Sequence, residues 1–423
     1  MRKETEKPVI IIALITAVCL LGDTMLYIVL PVYWHEFGLT SLWQVGVLLS
    51  VNRFVRLPLS PLVGWLYYRI SKRMGVMIAV SLTVISTFAY GFVQGFWLLF
   101  IARCLWGVAW AFLRLGGFLT VLDVADQSNR GFLIGKYNGL WALGGLAGML
   151  AGGLLTDSIG IEAVTVIFAT LALISIPFVF FFVPANVSSD DEEESGRESM
   201  KQVWKGKNVI PVMITGLIMA MVFFGIFMST LSRITEVNYP SLTLFGMTIG
   251  AATLAGVIQS IRWGWEPFIA PRFGRLSDGK LGRTPFLITA LFLGAGWFAI
   301  LPLDLSPLFW IVVVLFLQLT WTMTVTLTDS LAADVSTKSG KVVLMTTYTI
   351  VVDVGAAIGP SFGYMISDFF SMSALYWITS GLLFCLGLFW MVKNIREKRM
   401  GKRRSNKDAV FLITTMKGFG KWI

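Results

Sequence analysis

Gly274-Arg275-Leu276-Ser277-Asp278-Gly279-Lys280-Leu281-Gly282-Arg283 is a short polar stretch between long apolar runs, and a degraded copy, Gly64-Trp65-Leu66-Tyr67-Tyr68-Arg69-Ile70-Ser71-Lys72-Arg73, stands 210 residues before it. The shift of 210 also lays Pro61 on Pro271. A shift of 211 lays Asp123 on Asp334, Tyr137 on Tyr348, Gly148 on Gly359, Gly152 on Gly363 and Asp157 on Asp368. An offset that survives with a one-residue slip marks an internal duplication. Parallel repeats of helical bundles are an architecture of membrane transporters.

The flanking composition places both halves in a membrane. Of 423 residues, 56% are hydrophobic and 14% charged, and the mean hydropathy is +0.77. Soluble domains carry about 25% charged residues, so a soluble chain of this length could not wet its surface with so few. The same figures exclude disorder. The three cysteines, Cys19, Cys104 and Cys385, lie inside apolar runs and form no disulfide scaffold. Twelve runs are long enough to cross a bilayer: 8–34, 42–66, 74–94, 97–122, 133–156, 161–184, 209–231, 243–272, 284–303, 306–328, 342–367 and 373–393. They are continuous, unlike the alternating segments of a barrel. The sequence therefore predicts an all-α polytopic membrane protein, with twelve transmembrane helices in two pseudo-symmetric six-helix bundles. The first run follows Arg2, Lys3 and Lys7 as a signal peptide would, but it is too long and no small-residue cleavage site follows; it reads as a retained helix.

Lys and Arg give the orientation. The segments predicted inside carry Arg69, Lys72 and Arg73; Arg130 and Lys136; Arg197, Lys201, Lys205 and Lys207; Arg272, Arg275, Lys280 and Arg283; Lys338 and Lys341; and a basic tail. The alternate segments carry only Arg233. The positive-inside rule then puts both termini in the cytoplasm, in the cell (plasma) membrane. The net charge of +10 follows from topology and implies no nucleic acid. Asp190, Asp191, Glu192, Glu193 and Glu194 mark a charged linker. It divides an amino-terminal bundle, 1–184, from a carboxyl-terminal bundle, 209–393, with the linker at 185–208 and a basic tail at 394–423. The tail mixes basic and apolar residues such as Phe411, Leu412 and Trp422, which suits either an anionic leaflet or simple topogenic charge.

The ten-residue stretch ending at Arg283 resembles the loop signature of the major facilitator superfamily, which lies between spans two and three with a copy between eight and nine. In the first copy Tyr68 stands where the family has Asp. Arg103 and Gly107 resemble the family's span-four motif, and Gly144, Gly145, Gly148, Gly152 and Gly153 its antiporters' span-five bending motif, with Met149 in place of the usual Pro. The repeat partner, Gly355, Gly359, Pro360 and Gly363, keeps the Pro. The resemblance covers essentially the whole chain and implies alternating access by two rocking bundles. It implies a loop-signature gate at Gly64, Arg69, Arg73, Gly274, Arg275, Asp278 and Arg283. There Asp278 with Arg275 and Arg283 would hold the bundles together; Tyr68 predicts a weaker lock on the first copy, where positive-inside charge alone also explains the basic residues. The small-residue rows at Gly144, Gly148, Gly152, Gly355, Gly359 and Pro360 suit close packing, helix bending, or both.

Ionisable residues deep in a span default to function. They are Asp23, Arg53, Arg56, Arg103, Arg114, Arg262, Glu266 and Asp353. At about 1.5 Å per residue, Asp23 and Arg103 lie about 15 Å and 9 Å from the outer ends of spans one and four. In the family these spans line the central cavity, which makes Asp23–Arg103 a candidate pair. Asp23 followed by Pro31 resembles the span-one pattern of proton-coupled drug antiporters, and Asp23 reads either as a coupling or substrate carboxylate or as a structural ion pair. Arg262 and Glu266, four apart on one helix, read as a local pair. Arg53 and Asp353 each sit about eleven residues into their spans; the family's architecture sets spans two and eleven side by side, implying an Arg53–Asp353 gate pair. Arg56 and Arg114 are left as cavity arginines suited to carboxylate or phosphate. Trp106 and Trp110 are candidates for an aromatic substrate wall, though each also reads as packing.

His35 is the single histidine, and with three scattered cysteines it offers no metal site. No nucleotide-binding loop appears, so no cofactor is expected and a gradient must drive uphill transport. The leading reading is a secondary transporter, not an enzyme, exporting a small amphipathic or anionic organic compound coupled to protons. It would be a monomer in the lipid bilayer. The rivals are uptake or facilitation of a sugar-phosphate or organic acid, movement of a lipid or lipid-linked substrate, and a non-transporting sensor on the same fold.

Overall fold

A computed structural model describes residues 2–124, 130–183, 185, 208–244, 247–279, 282–335 and 341–419. Almost all of them are helical. The helices are α1 (Arg2–Val32), α2 (Leu42–Tyr67), α3 (Lys72–Phe92), α4 (Phe96–Val124), α5 (Arg130–Phe182), α6 (Val209–Asn238), α7 (Ala251–Ser277), α8 (Arg283–Ile300), α9 (Pro307–Val335), α10 (Lys341–Phe369) and α11 (Met372–Phe419). In hydrocarbon every backbone amide must be satisfied within its own segment, and continuous apolar runs do this as helices.

Predicted spans five and six form the single helix α5, which breaks at Gly160 with φ 83° and ψ 166°. That backbone region is open only to glycine, so the chain turns back there without a longer loop. Residues 243–250 depart from the predicted eighth span. Ser241–Leu244 (β1) and Met247–Gly250 (β2) form an antiparallel hairpin pairing Ser241 with Gly250, and α7 starts after it. Pro240 before the hairpin and Gly250 at its end interrupt helical continuity. Helix α11 runs on from the last predicted span to Phe419. The acidic block 190–194, the linker apart from residues 185 and 208, Lys280, Leu281, Lys338 and Trp422 lie outside the described residues.

Among the described residues nine helices are long and apolar enough to cross a membrane. The others, α2 and α7, are diluted by polar residues, Asn52, Arg53, Arg56 and Ser60 in one and Gln259, Arg262 and Glu266 in the other.

Glycine sets the packing within each half. A Cβ on Gly144 would strike the Ala17 backbone, one on Gly148 would strike Leu21 and Thr24, and one on Gly152 would strike Met25, so α5 lies directly on α1. The pseudo-equivalent Gly355 and Gly359 bring α10 onto α6 at Leu217, Met221 and Gly225. There α6 widens to a π-helix over Ala220–Phe227, a form concentrated at functional sites.

Among the described residues the halves meet along α2 with α10 and along α5 with α7. Ser50 of α2 bonds Ser361 of α10, Oγ to Oγ at 2.8 Å, and Gly46 lies against the Pro360 carbonyl. Gly153 of α5 packs on Ala252 of α7, and Ser232 of α6 donates to the Tyr27 carbonyl at 3.3 Å. Asp157, at the end of the first limb of α5, accepts from the Thr253 amide at 2.9 Å and from the Tyr33 hydroxyl at 2.6 Å. Apolar packing there is continuous from Leu26, Val45 and Leu48 through Met149 to Ala252 and Ile258. The opposite half of the amino-terminal bundle has its own core around Val63, Tyr67, Val76 and Leu113. The two halves are thus closed on the face of the 33–41 and 239–250 turns, and apart on the face where Arg69, Lys72, Arg73, Arg275 and Arg283 lie.

Candidate functional site

A cavity of about 560 Å3 opens between the halves toward the basic face. Its deepest charged group is Asp23 on α1, 8% exposed. The Arg103 guanidinium of α4 pairs with it through Nη1 and anchors itself by donating from Nε to the Leu48 carbonyl at 2.8 Å. Asn52 of α2 donates to the same carboxylate oxygen, Oδ1, at 3.3 Å. Three helices thus converge on one carboxylate. Asp23 lines the cavity while Arg103, 1% exposed, sits behind it against the Tyr90 ring. The Asp23–Arg103 pairing expected from depth is present.

The expected Arg53–Asp353 pair is not the one formed. Asp353 of α10 accepts from Arg56 Nη2 at 2.5 Å, so it is Arg56, expected to stand free for substrate, that bridges the halves. Arg53, one turn away on the same face of α2, also lines the cavity and lies against Tyr27. Arg114 of α4 is exposed to the cavity, donating to Asn138 Oδ1 at 3.1 Å and stacking over Trp141 at 5.1 Å. Trp106 and Trp110, with ring centroids 6.0 Å apart, continue this aromatic wall, which Phe224 and Trp263 complete from the other half. Tyr27, Asn52, Asn138 and Thr349 were not singled out in the sequence. Only the helical spacing of Asn52, Arg53, Arg56 and Ser60 on α2 could have marked one of them.

Arg262 and Glu266 form the local pair expected of them, and Arg262 lies between the Trp263 and Trp321 rings rather than in the cavity. Among the described residues no three His, Cys, Asp or Glu side chains gather to hold a metal ion.

The family model described as Major Facilitator Superfamily matches residues 12–265 and 268–420. The chain belongs to the Major Facilitator Superfamily. Among curated relatives, the "Multidrug resistance protein MdtG" of Salmonella arizonae is 27% identical over 274 residues, covering 62% of this chain and 64% of the relative. The protein of that name from Proteus mirabilis is 27% identical over 301 residues, covering 68% and 71%. The match therefore spans about two thirds of these relatives' length. The solved structure described as the nucleoside transporter NupG superposes with a TM-score of 0.74 at 14% identity, over 92% of this chain and 98% of that one. The superfamily fold, that of a multi-pass membrane transporter, is thus the fold of this chain.

Among its described residues, the superfamily's loop signature does not join the halves in this conformation. Arg283, opening α8, donates to Asp278 at 2.8 Å and reaches Asp334 at the end of α9 at 3.1 Å. Asp278 itself ends α7, its amide bonded to the Gly274 carbonyl. In the first copy Lys72 pairs with Asp123, the repeat partner of Asp334, at 2.5 Å, the counterpart of the Arg283–Asp334 bridge. Arg73 donates to the Val183 carbonyl at 3.0 Å and Arg69 covers Trp65. Gly64, Gly274 and Arg275 lie on the ends of α2 and α7. Each bridge stays inside one half because the cavity separates the halves on this face.

Proposed function

We propose that this transporter exports small amphipathic compounds, anions foremost, in exchange for protons, with Asp23 as the coupling carboxylate. The observation that carries the reading is the charge balance of an aromatic-walled cavity. Asp23 and Asp353 are each held by an arginine, and Arg53 and Arg114 add positive charge with no carboxylate of their own at ion-pair distance among the described residues. The volume suits a drug-sized molecule, and the relatives named as multidrug resistance proteins support export. Protonation of Asp23 would release Arg103 and Asn52 and loosen the junction of α1, α2 and α4 where the halves begin to part.

The proposal includes twelve spans with both termini in the cytoplasm of the plasma membrane, bundles at 1–184 and 209–393, a linker at 185–208, a tail at 394–423, and a working monomer. Arg56–Asp353 serves as the gate strut, Arg114, Trp106 and Trp110 contact substrate, the loop signature locks the basic face when it closes, and the glycine rows let α5 and α10 bend. The surplus of arginine equally favours a second reading, facilitated movement of a sugar phosphate or organic acid.

The test is proton movement in proteoliposomes holding a trapped pH dye, challenged with anilinonaphthalene sulfonate, ethidium and glucose 6-phosphate. The sulfonate does not itself carry protons at neutral pH, so a dye response to it reports coupled flux. Export of amphipathic anions predicts a response to the sulfonate that Asp23→Asn abolishes. A response that survives in Asp23→Asn removes the coupling role. A signal with glucose 6-phosphate alone supports the second reading.

A further inference from the structure

Of the two seams between the halves, α2 with α10 carries an ion pair, Arg56 with Asp353. The seam of α5 with α7 carries none among the described residues, although the internal duplication relates the two. A shift of 210 lays Arg56 on Glu266 of α7, and a shift of 211 lays Asp353 on Ala142 of α5. The second seam therefore has an acid where the first has Arg56, and no charge where the first has Asp353. Next to Ala142, Arg114 of α4 stacks over the Trp141 ring at 5.1 Å and supplies a cation. The contacts of the seam lead to the same place. A Cβ on Gly256 would lie 2.6 Å from the Met149 carbonyl, and nearer the basic face a Cβ on Gly145 would lie 3.5 Å from the Trp263 ring. One further turn on each helix sets Trp141 opposite Glu266. Here the seam opens into the central cavity, which Arg114, Trp141 and Trp263 line.

Both charges are placed for a partner. Glu266, its side chain 34% exposed, accepts from Arg262 at Oε2, and Oε1 accepts no hydrogen bond among the described residues. Arg262 is 1% exposed and fixed between the Trp263 and Trp321 rings, so it holds Glu266 from behind. Arg114 is exposed and spends Nη1 on Asn138. We propose that Arg114 and Glu266 form the ion pair of the second seam when the basic face closes. Closure advances the contact of α5 with α7 by one turn. Glu266 then accepts Arg114 at Oε1 and keeps Arg262 at Oε2, so no buried guanidinium is stranded. Each seam would carry positive charge on the amino-terminal half and negative charge on the carboxyl-terminal half. Glu266 is also an internal competitor for Arg114: it weakens anion binding once the basic face is shut, and by linkage an anion on Arg114 favours the open state. The inference rests on the basic face closing during the cycle, not on coupling at Asp23.

The test reads closure as a distance. Met74→Cys and Ile395→Cys, exposed near the basic-face ends of α3 and α11, carry spin labels in a full-length chain whose Cys19, Cys104 and Cys385 are replaced by alanine. Double electron–electron resonance without substrate gives the ratio of short to long distances. The bridge predicts that Glu266→Gln and Arg114→Gln each lower that ratio about fivefold, that the two together lower it no further, and that Arg114→Lys retains most of it. If Glu266→Gln fails to fold with Arg262 unpaired, Glu266→Gln/Arg262→Gln takes its place, because it removes both buried partners. A ratio unchanged in either single variant, or additive losses in the double, overturns the bridge and leaves closure standing. A single long distance before any of these substitutions overturns the bridge and closure of the basic face together.

Discussion

Removing the Arg103 guanidinium would strand the Asp23 carboxylate in a site that is 8% exposed. Breaking one side of a buried pair costs about 3–5 kcal/mol. Arg103→Ala is therefore expected to lower the melting temperature sharply in detergent, and adding Asp23→Asn should recover part of the loss; equal melting of single and double variants would show that Arg103 acts by packing alone. Arg56 differs. Its pair with Asp353 has side chains 17% and 33% exposed, so Arg56→Ala should cost about 1 kcal/mol or less while impairing transport far more than that figure suggests. Flux and melting measured on one preparation separate the two effects. Depth along a helix was enough to bring Asp23 and Arg103 together from sequence, because both lie in the outer half of their spans. It could not choose between Arg53 and Arg56. They are three residues apart on one face of α2, and a helix end is uncertain by nearly that much.

Among the helices, the glycines separate by what surrounds them. Gly144 faces the Ala17 backbone, whereas Gly139, on the same helix, has open space where a Cβ would sit. Gly144→Ala should push α1 and α5 apart and lower the melting temperature. Gly139→Ala should raise it slightly, by the order of 0.5–1 kcal/mol that a helical glycine forfeits to alanine. The opposite signs would be visible in paired melts, and like signs would refute the packing account. The spans were legible because apolar runs in lipid have one satisfactory backbone solution. The hairpin at 241–250 was not, since Leu242, Leu244 and Ile249 extend the apolar run and hydropathy does not distinguish the periods of strand and helix over so few residues. The joining of α5 through Gly160 was half legible: the break was expected, but not that a single glycine makes it.

For the whole molecule, closure on one face makes a prediction about motion. A disulfide formed between Ser50→Cys and Ser361→Cys should arrest transport, and a reductant should restore it, because the proposed alternating access requires that junction to part. Transport continuing in fully cross-linked protein would mean that the halves do not separate along α2 and α10. The duplication made two bundles readable from sequence, but which face is shut was not, since one sequence must serve both states. That choice is a balance of contacts, and Asp157 shows how fine the balance is. Helix α7 has no side-chain cap of its own at Gly250 and borrows one from the other half. A borrowed cap is worth about 1 kcal/mol, which corresponds to a roughly fivefold bias. When the halves part, water takes over the Thr253 amide and recovers most of that energy. That single contact is therefore a latch that ordinary thermal agitation can lift.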